Sequence, residues 1–157
     1  MTVQGLDVTD YAILKMLQEN AHVTIKEIAA AVNISMTPVH ERIKKMEQEG
    51  IIQQYVTVLN KKKLGKSLIV YCNVRLSKQS ADDFDIFDKA INALPEVVES
   101  NVVSGTFDYF LKIVVSDMDA YYNFHQKKLS PIPVVAQINS FFVMNEVKYT
   151  TAIPLNN

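Results

Sequence analysis

Between Met36 and Lys45 the run MTPVHERIKK brings together a threonine hydroxyl, an imidazole, a carboxylate and three cations. Thr37, His40, Glu41, Arg42, Lys44 and Lys45 can exchange hydrogen bonds with base edges and neutralise phosphates, and Met36 can add apolar contact. Elsewhere the chemistry-bearing residues are scattered. His22, His40 and His125 fall in different stretches, and no carboxylate pair, Ser/His/Asp set or Cys/His set stands at suggestive spacing. No second His or Cys lies at ligand spacing from His40, so the sequence offers neither a metal site nor a cofactor site. The single cysteine, Cys72, sits in the alternating run Leu68, Val70, Cys72, Val74, Leu76, which reads as a small buried side chain. No intrachain disulfide can form.

The elements that must position the Met36–Lys45 run can be read on either side of it. Asp7 and Asp10 stand at N-cap and N3 spacing, and Tyr11, Leu14 and Leu17 recur on one face with Ile13 beside them, predicting a helix over 8–20. Thr24-Ile25-Lys26-Glu27 has the form of a capping box and starts a second helix that buries Ile28, Ala29 and Val32. Asn33 and Ile34 make a turn, and Ser35 suits the N-cap of a third helix with Pro38 in its first turn and Gly50 just past its end. In that helix Val39, Ile43 and Met46 follow i, i+4, i+7 and face inward, leaving Met36, Thr37, His40, Glu41, Lys44 and Lys45 outside. Helix, tight turn and basic second helix form the pattern of a helix-turn-helix DNA reader. Thr37 and His40 are then candidates for base contact, and Lys44 and Lys45 for phosphate contact. Arg42 has two open readings, phosphate binding or locking the fold through carbonyl bonds.

The charge distribution agrees with a partner at one end of the chain. The 157 residues carry a formal net charge of −1, yet between Arg42 and Lys66 seven bases face two acids, and from Ser67 onward seven bases face ten acids. The run Lys61–Lys63 either touches DNA or keeps a linker solvated. An apolar fraction of 48% is enough for a real core. No apolar run approaches the roughly 18 residues of a membrane span. The first twenty residues carry Asp7, Asp10 and Glu19 where a secretory leader would be basic and then apolar, which places the protein in the cytoplasm.

Ile51 to Asn60, rich in β-branched residues, reads as a strand, and Leu64-Gly65 marks a boundary. Beyond it the pattern becomes βαββαβ. Strands are predicted over 67–76, 97–103, 109–115 and 134–148. One helix carries Phe84, Phe87, Ile91 and Leu94 on a face, with Ser80 near its start and Pro95 past its end. Another is capped by Ser116 or Asp117, runs to about Leu129 and packs through Tyr122 and Phe124. That order makes a ferredoxin-like sandwich with an antiparallel sheet. The fold class is α+β, divided as a helix-turn-helix domain over 1–50, a strand linker over 51–65 and a ferredoxin-like domain over 66–157.

Several stretches together resemble the Lrp/AsnC (leucine-responsive, or feast/famine) family of transcription regulators. They are LDVTDYAIL, NISMTPVHERIKKMEQEGII, the LG boundary, LPEV, VSGTFDYFL and a V-x-x-I-x-S-x-F-V run, spread over nearly the whole chain. The resemblance implies a winged helix-turn-helix that binds double-stranded DNA, and a second domain that oligomerises and senses a small molecule, usually an amino acid. It implies dimers that assemble further, commonly four in a ring, with the 51–60 strand pairing with its two-fold mate. It places the effector pocket where dimers meet, at Ser104, Gly105, Thr106, Phe107 and Asp108 and at Ser140. Gly105 permits positive φ, exposing backbone N–H groups to a carboxylate, and Asp108 could pair with an α-ammonium. An ordinary hairpin turn is the other reading of those five residues. Where many members have T-x-T or T-x-S, this chain has Ile138-Asn139-Ser140, so one hydroxyl is absent.

Two other functions compete with a ligand-responsive regulator. Some sirohaem decarboxylases resemble the same family in both domains, and the chain has three histidines and Arg75. Alternatively, the protein compacts DNA without sensing anything.

Overall fold

A computed structural model of the protein describes residues 5–155. Two reciprocal caps organise the N-terminal helices. The Asp10 N–H donates to Asp7 Oδ1 and the Asp7 N–H to Asp10 Oδ2, both at 2.9 Å, and this box starts α1, Val8–Glu19. Thr24 and Glu27 trade the same pair of bonds and start α2, Ile25–Val32. Each box satisfies donors that a helix N-terminus otherwise leaves unpaired. Asn33 ends α2 in the left-handed region at φ 55°, which asparagine tolerates. The next helix, α3, spans Met36–Gln48; Ser35 has extended cap geometry, but its hydroxyl bonds no helix N–H. Gly50 follows α3 at φ 71°. Ile13, Ile28, Val39 and Met46, all essentially inaccessible, form the centre of the core these helices share.

Ile51 and Ile52 fold back onto that core, both donating their N–H groups to the Met46 carbonyl. The strand expected over Ile51 to Asn60 is not formed. The segment carries no regular structure, and Tyr55, Val56, Val58 and Leu59 are exposed. Its β-branched residues favour extended backbone, but a strand also needs a ladder partner, and none of the described residues supplies one. A single 3₁₀ turn, Lys62–Leu64, closed by Gly65 at φ 67°, precedes the sheet.

The sheet has four antiparallel strands: β1 (Leu68–Leu76), β2 (Val97–Val102), β3 (Tyr109–Val115) and β4 (Val135–Phe142), in the order β2-β3-β1-β4. Two helices cover one face: α4 (Ala81–Asn92), capped by Ser80, and α5 (Met118–Phe124), capped by Asp117. Between them and the sheet lie Val70, Cys72, Val74, Leu111, Ile113, Phe87, Ile91 and Phe124. The order and the two-layer packing are those of a ferredoxin-like α+β sandwich.

Two sequence expectations about this half need correction. Tyr122 is exposed, and Tyr121 takes its place in the core with Phe124. Tyr121 and Phe124 stand three apart on one face of the regular helix, whereas Tyr122 and Phe124, two apart, cannot share a face; past Phe124 the helix widens into a π-helical turn over His125–Leu129. The last strand also stops at Phe142 instead of continuing to 148.

Residues 5–58 group with residues 148–155 into one compact unit, the head, and Leu59–Val147 form the other.

Candidate nucleic-acid interface and ligand turn

Helix α3 is two-sided. Val39, Ile43 and Met46 are buried against α1 and α2, whereas Met36, Thr37, His40, Glu41, Lys44 and Lys45 are exposed. The inward residues fix the rotation of the helix, and the outward ones form a stripe of donors, acceptors and positive charge. Lys45 lies 3.8 Å from Glu49, one turn on. His40 and Lys44 border a cleft of about 580 Å³ whose apolar wall includes Leu17, Val23 and Ile28.

Arg42 is half-buried, and within the chain its partners are carboxylates and not carbonyls. Its Nη1 donates to Asp7 Oδ2 at 2.7 Å and to Asp10 Oδ1 at 2.8 Å, tying α3 to the cap of α1. The Asp7 carboxyl is held below its usual range, chiefly by the Asp10 N–H and then by the Arg42 guanidinium. Tyr55 is a contact the sequence did not reveal. Its hydroxyl donates to Glu47 Oε1 at 2.9 Å, fastening the segment that follows α3 to that helix's last turns. Partial burial, the hydrogen bond and the Glu47 charge push the Tyr55 pKa up to about 12.

In the sandwich, the turn from Ser104 to Asp108 joins β2 to β3. Gly105 adopts φ 141°, and a Cβ there would meet open space, so what demands glycine is the backbone conformation. Ser104, Gly105 and Thr106 are exposed and Phe107 is half-buried. Asp108 has partners inside the chain. It is buried, its Oδ2 accepts the Leu76 N–H and its Oδ1 the Gln79 amide, both at 2.7 Å. The carboxylate thus anchors the turn to the end of β1. Ser140 lies opposite Cys72 on β4, and its hydroxyl bonds that of Tyr121. Burial raises the Cys72 thiol pKa, and burial likewise raises that of Tyr121. Within one chain the turn and Ser140 are not brought together, because β1 separates β3 from β4, a gap of ~10 Å across the sheet.

A capped helix-turn-helix head with a cationic outer stripe, followed by a sandwich with an exposed glycine turn, defines a two-unit DNA-binding regulator. Comparison with known proteins narrows this. Residues 6–53 match the winged helix-turn-helix DNA-binding domain, and residues 69–153 match the Lrp/AsnC ligand binding domain. The leucine-responsive regulatory proteins of Klebsiella pneumoniae and Escherichia coli K12 are each 36% identical over 150 residues, covering 96% of this chain and 92% of theirs. A transcriptional regulator of Neisseria meningitidis, solved as a complex with L-methionine, superimposes with a TM-score of 0.92 at 33% identity over 96% of this chain and 97% of its own. An AsnC family regulator of Agrobacterium tumefaciens gives 0.90 at 34% identity, over 95% and 97%. The chain belongs to the Lrp/AsnC family of DNA-binding transcriptional regulators. The matched relatives are regulators and not enzymes, which removes the decarboxylase reading. No helix among the described residues is long and apolar enough to cross a membrane.

Proposed function

We propose that the protein is a cytoplasmic, sequence-specific regulator of transcription whose hold on double-stranded DNA is set by an amino acid. The sidedness of α3 carries the DNA half of this reading. Thr37 and His40 read base edges, Lys44 and Lys45 contact phosphates, and Met36 and Glu41 flank them. Arg42 serves by holding α3 in place through Asp7 and Asp10.

The effector half rests on the exposed Gly105 turn and on the L-methionine complex of the Neisseria relative. Backbone N–H groups of Ser104, Gly105 and Thr106 receive the ligand carboxylate, with Phe107 beside it. Asp108 holds the turn in shape, and Ser140 is supplied by another chain. The wide separation of the turn and Ser140 in a single chain favours a pocket shared between dimers. Homodimers form first, with residues 51–60 pairing across the two-fold axis, and then assemble to an octamer. A dimer would set two recognition helices about 34 Å apart on a roughly palindromic site.

The test is a melting panel of the purified protein against the twenty amino acids, followed by gel-shift titration on the promoter of its own gene. An effector at 100 times its Kd should add about 2.7 kcal/mol. No shift with any amino acid, together with salt-sensitive binding indifferent to sequence, would favour the DNA-compacting reading instead.

A further inference from the structure

The chain passes between its two compact units twice, at 58–59 and at 147–148. The second passage ends on α1. There the Gln18 side chain grips the backbone of Ile153 from both sides: the Ile153 N–H donates to Gln18 Oε1 at 2.8 Å, and Gln18 Nε2 donates to the Ile153 carbonyl at 3.2 Å. A primary amide carries one donor side and one acceptor side, so it can bind a single extended residue in this way whatever that residue's side chain. Ile153 keeps its side chain in solvent, and Pro154 after it favours the extended conformation the grip needs. Leu155 then packs, half-buried, against the head's apolar core. At the other end of the passage, Lys61 Nζ lies 2.9 Å from Glu146 Oε1. The incoming and outgoing segments are therefore stapled together where they leave the sandwich.

We propose that residues 148–155 are an intramolecular ligand of α1, forming a releasable second tether that limits how freely the head moves on its linker. A head held by one irregular segment keeps most of its conformational freedom; a second attachment closes a loop and removes much of it. The grip is also weak enough to open, because it consists of two partly exposed hydrogen bonds and one half-buried leucine. Its upstream end is continuous with β4, the strand that carries Ser140, through Val143, whose N–H donates to the Ile69 carbonyl. A change at β4 therefore reaches the head by way of the tail as well as the linker. That last step rests on the regulator reading above; the tether does not.

Gln18→Ala in the full chain is the test, with Leu155→Ser as a second variant that weakens the same attachment by another route. Hydrogen exchange at the Ile153 amide should rise by roughly tenfold in Gln18→Ala, with the exchange of the Ile13 and Ile28 amides unchanged. Proteolytic cleavage within residues 53–60 should rise several-fold in both variants. The ratio of DNA affinities with and without L-methionine or L-leucine should move toward one. Unchanged exchange at Ile153, or cleavage of 53–60 at the wild-type rate in both variants, would overturn the tether. If neither amino acid alters DNA binding by the wild-type protein, the sensing reading loses its support, while the cleavage rates still decide the tether.

Discussion

Thr37 and Lys44 lie on the same outer face of α3, two turns apart, yet their chemistry separates their roles. A lysine on a phosphate contributes the same counterion release whatever the sequence, so Lys44→Gln should weaken binding to all sites alike and lower the salt slope by about one. Thr37→Ala and His40→Ala should instead narrow the gap between operator and random DNA. Competition gel shifts at several salt concentrations separate the two outcomes, and a Lys44 variant that discriminated less between sequences would reverse the assignment. Asp108 is decided by a different measurement. Its carboxylate caps the Leu76 N–H in a buried place, and removing it leaves that donor unpaired at a cost of about 1–3 kcal/mol. Asp108→Ala should therefore lower the stability of the sandwich with no effector present, as read by denaturant unfolding. Normal stability combined with lost effector response would make it a ligand contact after all. Neither Arg42 nor Asp108 could be settled from sequence. The partners of Arg42 lie 32 and 35 positions away and those of Asp108 lie 32 and 29 away, and no local rule reaches that far.

Elements whose signals are local were legible for that reason. The D-x-x-D and T-x-x-E boxes act within four residues, and both formed as read. The rotation of α3 followed from three apolar positions. Where the reading from sequence failed, the cause is visible: Tyr121, three before Phe124, shares its helical face, which Tyr122, two before it, cannot, and Ile51 to Asn60 has extended chemistry without a ladder partner among the described residues. That segment is nonetheless attached through Tyr55, and the attachment depends on pH. The Tyr55 pKa is raised from 10.0 to about 12, so the neutral hydroxyl is the form the folded state favours. The contact should contribute fully below pH 10 and be lost as the pH rises through 12. Tyrosinate absorbance of the wild type minus that of Tyr55→Phe should show one group titrating near 12. A difference curve centred near 10 would mean that the bond to Glu47 is absent in solution.

At the scale of the whole molecule, the sheet has one face covered by α4 and α5 and one face left without helices. On the uncovered face Tyr71 stacks on Phe110, with ring centroids 5.2 Å apart and planes at 16°, and Phe141 pairs with Tyr71 across the ladder while remaining 53% exposed. Side chains alternate along a strand, so Phe141 points away from the face on which its neighbour Ser140 meets Tyr121. An aromatic cluster of this kind is costly to leave in water, and a second sheet of the same composition would bury it. Phe141→Lys places a charge in the middle of that contact, while the helix-covered core, anchored by Val70, Cys72 and Leu111, is untouched. On the assembly proposed above, the variant should keep its secondary structure but lose that association, with light scattering giving the mass of one chain. Its affinity for a two-half-site operator should fall toward that of a single head, because linking two heads raises the effective concentration of the second. If the mass stays that of the wild type, the assembly is held by the 51–60 segments alone, and Val56 and Val58 become the positions to change.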